Sequence, residues 1–150
     1  MSVRKMIVFF LLVGLQVQIA HSQQMVKFRG SDGWGVDTRY EQAYDAFNLQ
    51  TFRGSVAKVD TVTPMTDMGM GIQILLKTES GDIAVHLGPA WYILNQDLNF
   101  PKNEKLEVKG CRVSTSSGDF VMAMEILRKD RIVRLRDTDG NPLWSVMREK

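Results

Sequence analysis

"GIQILLKTESGDIAVHLGPAWYILNQ", residues 71 to 96, decides the fold. Ile72, Ile74 and Leu76 recur at every second position, the period of a strand with one inward face. "ESGD" makes a tight turn around Gly81, and Ile83, Val85 and Leu87 resume the same period. The two runs predict an antiparallel hairpin. The alternation breaks at Gly88-Pro89. Proline suits the first turn of a helix, where its missing N–H costs nothing, so "PAWYILNQ" predicts a short helix that plugs the structure. Trp91 or Ile93 is expected to cap the core, with Trp91 serving the fold. His86 shares the parity of Ala84, opposite the inner face, and is expected to project outward, free to bind.

The pattern continues on both sides. "TFRGSVAKVDTV", residues 51 to 62, predicts a long strand with a bulge or bend at Gly54. After the helix, "EKLEVKGCRV" places Leu106 and Val108 inward and kinks at Gly110. "GDFVMAMEIL" is apolar on both parities and therefore buried. "RIVRLRD" extends it or pairs as a sixth strand. Upstream, Thr38 and Glu41 form a capping box, and Tyr40, Tyr44 and Phe47 fall on one helical face. The expected fold is all-β with a little helix: an OB-like barrel of five to six strands, with a short helix between strands 3 and 4 and a short N-terminal helix.

The N-terminus points to export. Arg4 and Lys5 precede the apolar run "MIVFFLLVGL", too short to span a bilayer, and small residues stand at Ala20 and Ser22. Cleavage is expected after Ser22. The expected organisation is a signal peptide over 1–22, an irregular segment with a short helix over 23–50, and a barrel domain over 51–150. The mature chain would be periplasmic, with no membrane span. Residues 23–150 hold 17 basic and 17 acidic side chains. That balance argues against a nucleic-acid binder, which is usually basic. The one cysteine, Cys111, can form no internal disulfide, and reads as a buried thiol.

Catalytic motifs are absent: no G-x-S-x-G, no P-loop and no dinucleotide fingerprint. Beyond the expected signal peptide, the one histidine, His86, and the one cysteine cannot make an ordinary zinc site. "DTDGN", residues 137 to 141, lacks the distal glutamate of a calcium loop and reads as an Asx-rich turn. Met65, Met68 and Met70 form an M-x-x-M-x-M group that, with His86, could offer soft ligands to copper(I). Arg128, Lys129, Arg131, Arg134 and Arg136 form a late basic cluster that could take a polyanion, although a solvated strand face explains it as well.

"GWG" at 33–35, "Y..AYD" at 40–45, "TPM..M" at 63–68, "VHLGPAWY" at 85–92 and "LRDTDGNPLWS" at 135–145 occur in one order. Together they resemble a family of small exported bacterial OB-like proteins that includes the domain shared by the magnetosome proteins MamS and MamX. The resemblance implies an exported, non-enzymatic domain tied to metal or redox handling. Chains like MamX carry haem-attachment motifs, and this sequence has none. The sequence thus predicts a non-enzymatic binding or interaction domain without a required cofactor. Its working surface is expected at the 64–71 loop, His86, Trp91 and Tyr92, facing a protein or small ligand in the periplasm. The alternatives are a copper accessory protein using Met65, Met68, Met70 and His86, and a nucleic-acid or polyanion binder using residues 128–136.

Overall fold

In the computed structural model, residues 32–148 are described. The expected signal peptide and its cleavage point lie outside them. The hairpin is as the alternation predicts: β2 (Gly71–Thr78) and β3 (Gly81–Pro89) are antiparallel, joined through Glu79 and Ser80. Ile74, Leu76 and Val85 are fully buried. A register shift follows Ile72, which pairs with Gly88 while Gln73 pairs with His86. Leu87 is the extra residue in that shift, and it is buried all the same.

β1 (Leu49–Val62) runs past this hairpin and divides its partners. Its second half, Ser55–Val62, pairs with β2, and its first half, Leu49–Ser55, pairs with β4 (Lys105–Thr115). The expected bulge falls between Val56 and Lys58 rather than at Gly54. Gly54 instead permits a close approach of backbones. A Cβ there would lie 2.3 Å from the Lys77 carbonyl oxygen, so only glycine lets β1 pass so near the end of β2. β4 pairs antiparallel with β5 (Gly118–Arg128), with a shift at Gly110 where a kink is expected. β6 (Arg131–Arg134) pairs with the far end of β5, as a sixth strand. A short parallel ladder from Ala84–His86 to Phe120–Met122 joins β3 to β5. The sheet, otherwise antiparallel, thereby closes five strands into a ring in the order β1-β2-β3-β5-β4.

Among the described residues, two α-helices of one turn each accompany the ring. α1 is Arg39–Gln42 and α2 is Ala90–Ile93, between β3 and β4. α1 is shorter than the aromatic spacing predicts. Tyr40 is buried, Tyr44 partly so, and Phe47 lies fully exposed beyond the helix. The capping box forms by half: Thr38 Oγ1 accepts from the Glu41 N–H, but the Glu41 carboxylate turns away to Arg136. At α2, Pro89 is the N-cap rather than the first helical residue. Tyr92 and Ile93 are buried and Trp91 only partly, so the capping expected of Trp91 falls to its two neighbours. Gly88 has φ +152°, and a Cβ there would lie 2.7 Å from the Trp144 ring.

The outer face of β3 and β5 is covered in part. Residues 34–48 lie across it as a strap, which explains why residues 121–124 are buried on both parities. Cys111 is buried beneath the strap, where the Asp45 N–H points at its Sγ at 3.4 Å. The strap is fastened to the chain's C-terminal turn. Trp144 Nε1 donates to the Trp34 carbonyl at 2.8 Å, and Arg136 holds Glu41 through its two terminal guanidinium nitrogens. Asp137 Oδ1 accepts the N–H groups of Asp139 and Asn141, making the Asx turn expected of "DTDGN".

Candidate functional site

A cleft of about 550 Å³ opens on the strap side of the ring. Three pieces of chain form it. Val62–Met65 comes from the end of β1 and the turn after it. Ala84 and His86 come from β3. Val113–Phe120 supplies the β4–β5 hairpin. Tyr40 of the strap reaches in from the side.

The floor is a stack of rings. His86 lies on Phe120 with centroids 4.1 Å apart and nearly parallel planes, and the Tyr40 ring lies roughly parallel beside the pair, 5.9 Å from His86 and 6.1 Å from Phe120. The Tyr40 hydroxyl and His86 Nδ1 are hydrogen-bonded at 3.0 Å, with donor and acceptor set by the histidine tautomer. His86 therefore does point away from the ring interior, as its parity predicts, but it is only 5% exposed because the strap covers it. The expectation of a histidine standing free in solvent is corrected on that ground. Burial pushes the His86 pKa down to about 4 and raises that of the Tyr40 hydroxyl far above the usual phenol range. Both rings are uncharged at neutral pH.

The rim is neutral as well. Asp119, its one acidic residue, is held by Arg112 at 2.9 Å. Thr115 donates to the Gly118 carbonyl at 2.7 Å and shares a hydrogen bond with Ser117. The same arrangement, Thr78 to Gly81 with Ser80, closes the β2–β3 hairpin. The turns read T-E-S-G-D and T-S-S-G-D, a match visible in the sequence that marks equivalent hairpins.

The residues predicted from sequence separate. Of the methionines, Met65 lines the cleft with His86, Met68 is packed in the core, and Met70 is exposed. The structure thus gives the three thioethers different surroundings. Tyr92, expected on the binding surface, is buried with its ring 5.6 Å from Trp144, and neither Trp91 nor Tyr92 lines the cleft. The one-turn helix turns Tyr92 inward and leaves Trp91 at the edge.

The late basic residues separate as well: Arg128, Lys129 and Arg131 share a hollow with Asp97, Glu104 and Asp130, while Arg134 and Arg136 lie apart from it. Arg136 is buried against Glu41 and lies over the Tyr44 and Trp144 rings. Arg128 is clasped by Glu104 and lies over Phe100. Arg134 stands 4.0 Å from Glu125, leaving Lys129 and Arg131 exposed without ion pairs among the described residues. No group of three His, Cys, Asp or Glu side chains suited to a metal occurs among the described residues. No helix among them is long and apolar enough to cross a membrane.

Phe120 and the 113–118 rim are not marked as site residues by the sequence, and Tyr40 is marked only as part of a helical aromatic face. The available signal was the two-sided apolar run at 120–124, which implies that something covers the outer face. No curated protein and no solved structure matches the chain. The family model described as the MamS/MamX magnetosome protein family matches residues 48–133, from the start of β1 into β6. That stretch contains the whole ring and every cleft residue except those of the strap.

Proposed function

This chain belongs to the MamS/MamX magnetosome protein family, and on that premise we propose that it is an exported, magnetosome-associated binding domain without catalytic activity. We read the ring as OB-like. Its strand order and the helix between β3 and β4 agree with that architecture, whose ligands commonly sit on the β2–β3 face between the loops joining strands 1–2 and 4–5. The cleft lies between those two loops, and it is the proposed working surface.

One observation carries the reading: the floor is an uncharged aromatic stack and the rim offers hydroxyls without a free charge. Such a surface suits a neutral or apolar group, such as a side chain of a protein partner or a small uncharged ligand. It does not suit a phosphate chain, whose binding rests on Lys and Arg. The basic, apolar and small-residue order of residues 4 to 22 supports export, and on this reading the form recovered from the periplasm should have the mass of a chain starting at Gln23.

The two matching hairpin turns provide an internal control. A photo-crosslinking residue at Ser117 in the native host should capture a partner, and one at Ser80 should not. Phe120→Ala should abolish capture while circular dichroism stays unchanged. Equal capture at both positions, or none at Ser117, refutes the cleft as working surface. A second reading rests on Met65 and His86 sharing the cleft, two ligands of a type copper(I) accepts. Under it, Met65→Leu and His86→Ala should each weaken copper(I) binding in a chelator competition, whereas Met70→Leu should not.

A further inference from the structure

We propose that the groove where β1 leaves β2 for β4 docks an extended acidic segment of a partner protein, which adds as a strand to the open edge of β1. The site lies apart from the cleft described above, and the two stand or fall separately.

The open edge follows from the register. β1 has β2 beside it only from Ser55 onward, and β4 beside it only up to Ser55. Among the described residues, the β2-facing edge of Leu49–Arg53 therefore carries no strand. β2 cannot continue along it, because the chain turns at Glu79–Ser80 into β3. The space that an extended β2 would fill is a hollow of about 510 Å³ between Thr51–Arg53 and Thr78–Ser80. Strand addition to such an edge takes its affinity from main-chain hydrogen bonds and its selectivity from flanking side chains.

The flanking side chains are basic. The hollow runs into a groove of about 640 Å³, sharing Arg53, Thr78 and Glu79 with it. Leu106 and the half-exposed Leu127 give that groove apolar lining, and Arg53, Lys77, Lys105 and Lys129 surround it against Glu79 and Glu107. Glu107 is already paired with Arg53 at 2.8 Å. None of the three lysines has an ion pair among the described residues. The groove is thus cationic in a chain whose charges nearly balance. Lysines beside an open edge repel a second copy of that edge and admit an acidic strand. The groove has no aromatic lining and the hollow has Phe52 alone, too little for the run of stacking platforms usual in single-strand binding.

The probe is an eight-residue peptide alternating Val or Thr with Asp or Glu, titrated into the ¹⁵N-labelled protein. Amide shifts should concentrate at Thr51–Arg53 and Lys77, and binding should weaken as salt is raised. Lys77→Glu/Lys105→Glu/Lys129→Glu should lower affinity by at least about tenfold, with an unchanged melting temperature because the three lysines are exposed. N-methylation of alternate peptide bonds should abolish binding, separating strand addition from simple charge attraction. The proposal is overturned if a lysine-substituted peptide binds equally, if the N-methylated peptide keeps its affinity, or if no peptide binds. It is overturned too if phosphatidylglycerol vesicles or oligothymidylate bind at these lysines and the acidic peptide does not.

Discussion

Replacing Arg136 by methionine tests whether the strap is latched by a buried ion pair. The guanidinium is 2% exposed and the Glu41 carboxylate 4%. Arg136 donates two hydrogen bonds to Glu41 and one to the Gly140 carbonyl, and it lies 4.4 Å over the Tyr44 ring. Methionine keeps most of the apolar stem and removes all of these, leaving a carboxylate buried without a cation. Breaking such a pair on one side costs about 3–5 kcal/mol. Arg136 Nε already lacks a partner, so the pair is incompletely satisfied and the loss should lie near the lower end, about 3 kcal/mol. With a urea slope of about 1.5–2 kcal/mol per M, the unfolding midpoint should fall by about 1.5–2 M. The double variant Glu41→Met/Arg136→Met removes both charges together and should recover most of that loss. A midpoint shift below about 0.5 M for Arg136→Met, or a double variant as unstable as the sum of its singles, would refute the latch.

Acidification should loosen the same region through His86. The unfolded histidine takes a proton near pH 6.5, while the folded one refuses it until about 4. Stability from this group is therefore full above pH 6.5 and should decline by about 3 kcal/mol as pH falls to 4; His86→Phe should flatten that decline in a series of melts, and an unchanged slope would contradict the neutral stack. Tyr92→Ala should cost about 3–5 kcal/mol as a buried aromatic deletion, and Trp91→Ala distinctly less, because its ring is only partly buried; chemical denaturation of both variants gives the order. Gly88→Ala should destabilise by more than about 1 kcal/mol, since its positive φ is compounded by a Cβ driven into the Trp144 ring; a neutral result would mean that Trp144 yields readily.

The ring was legible because its signals are local. Two-residue periodicity in 72–76 and 83–87, turn chemistry at 79–82 and the Gly88-Pro89 break place the hairpin and the helix after it without knowledge of the rest of the chain. Gly110 likewise marks an irregular position by its lack of a side chain. Short helices were less legible. Over a single turn there is no period to read, so the sequence does not tell Trp91 from Tyr92, and the helical spacing of Phe47 runs on past a helix that ends at Gln42. The methionines show the same limit. A few residues of irregular chain send Met65 to the cleft, Met68 to the core and Met70 to solvent.

The site was hidden for a different reason. Strand parity states which face a side chain takes, not what lies against that face. His86 obeys its parity, yet its burial is decided by Tyr40, 46 positions earlier, and Tyr40 is carried by a strap that Glu41 fastens to Arg136, 95 positions later. Nothing local to "VHLG" or to "LRDTDG" records either contact. The family-matched stretch, residues 48–133, contains His86 and Phe120 but neither the strap nor its anchor. The cleft is therefore composite. The ring supplies two stacked rings of its floor, and the flanking segments supply the third together with the cover that keeps the histidine neutral. A substitution at Glu41 or Arg136, far from any ligand, can then alter the floor by releasing the strap, whereas one at Ser117 alters the rim and leaves the floor in place.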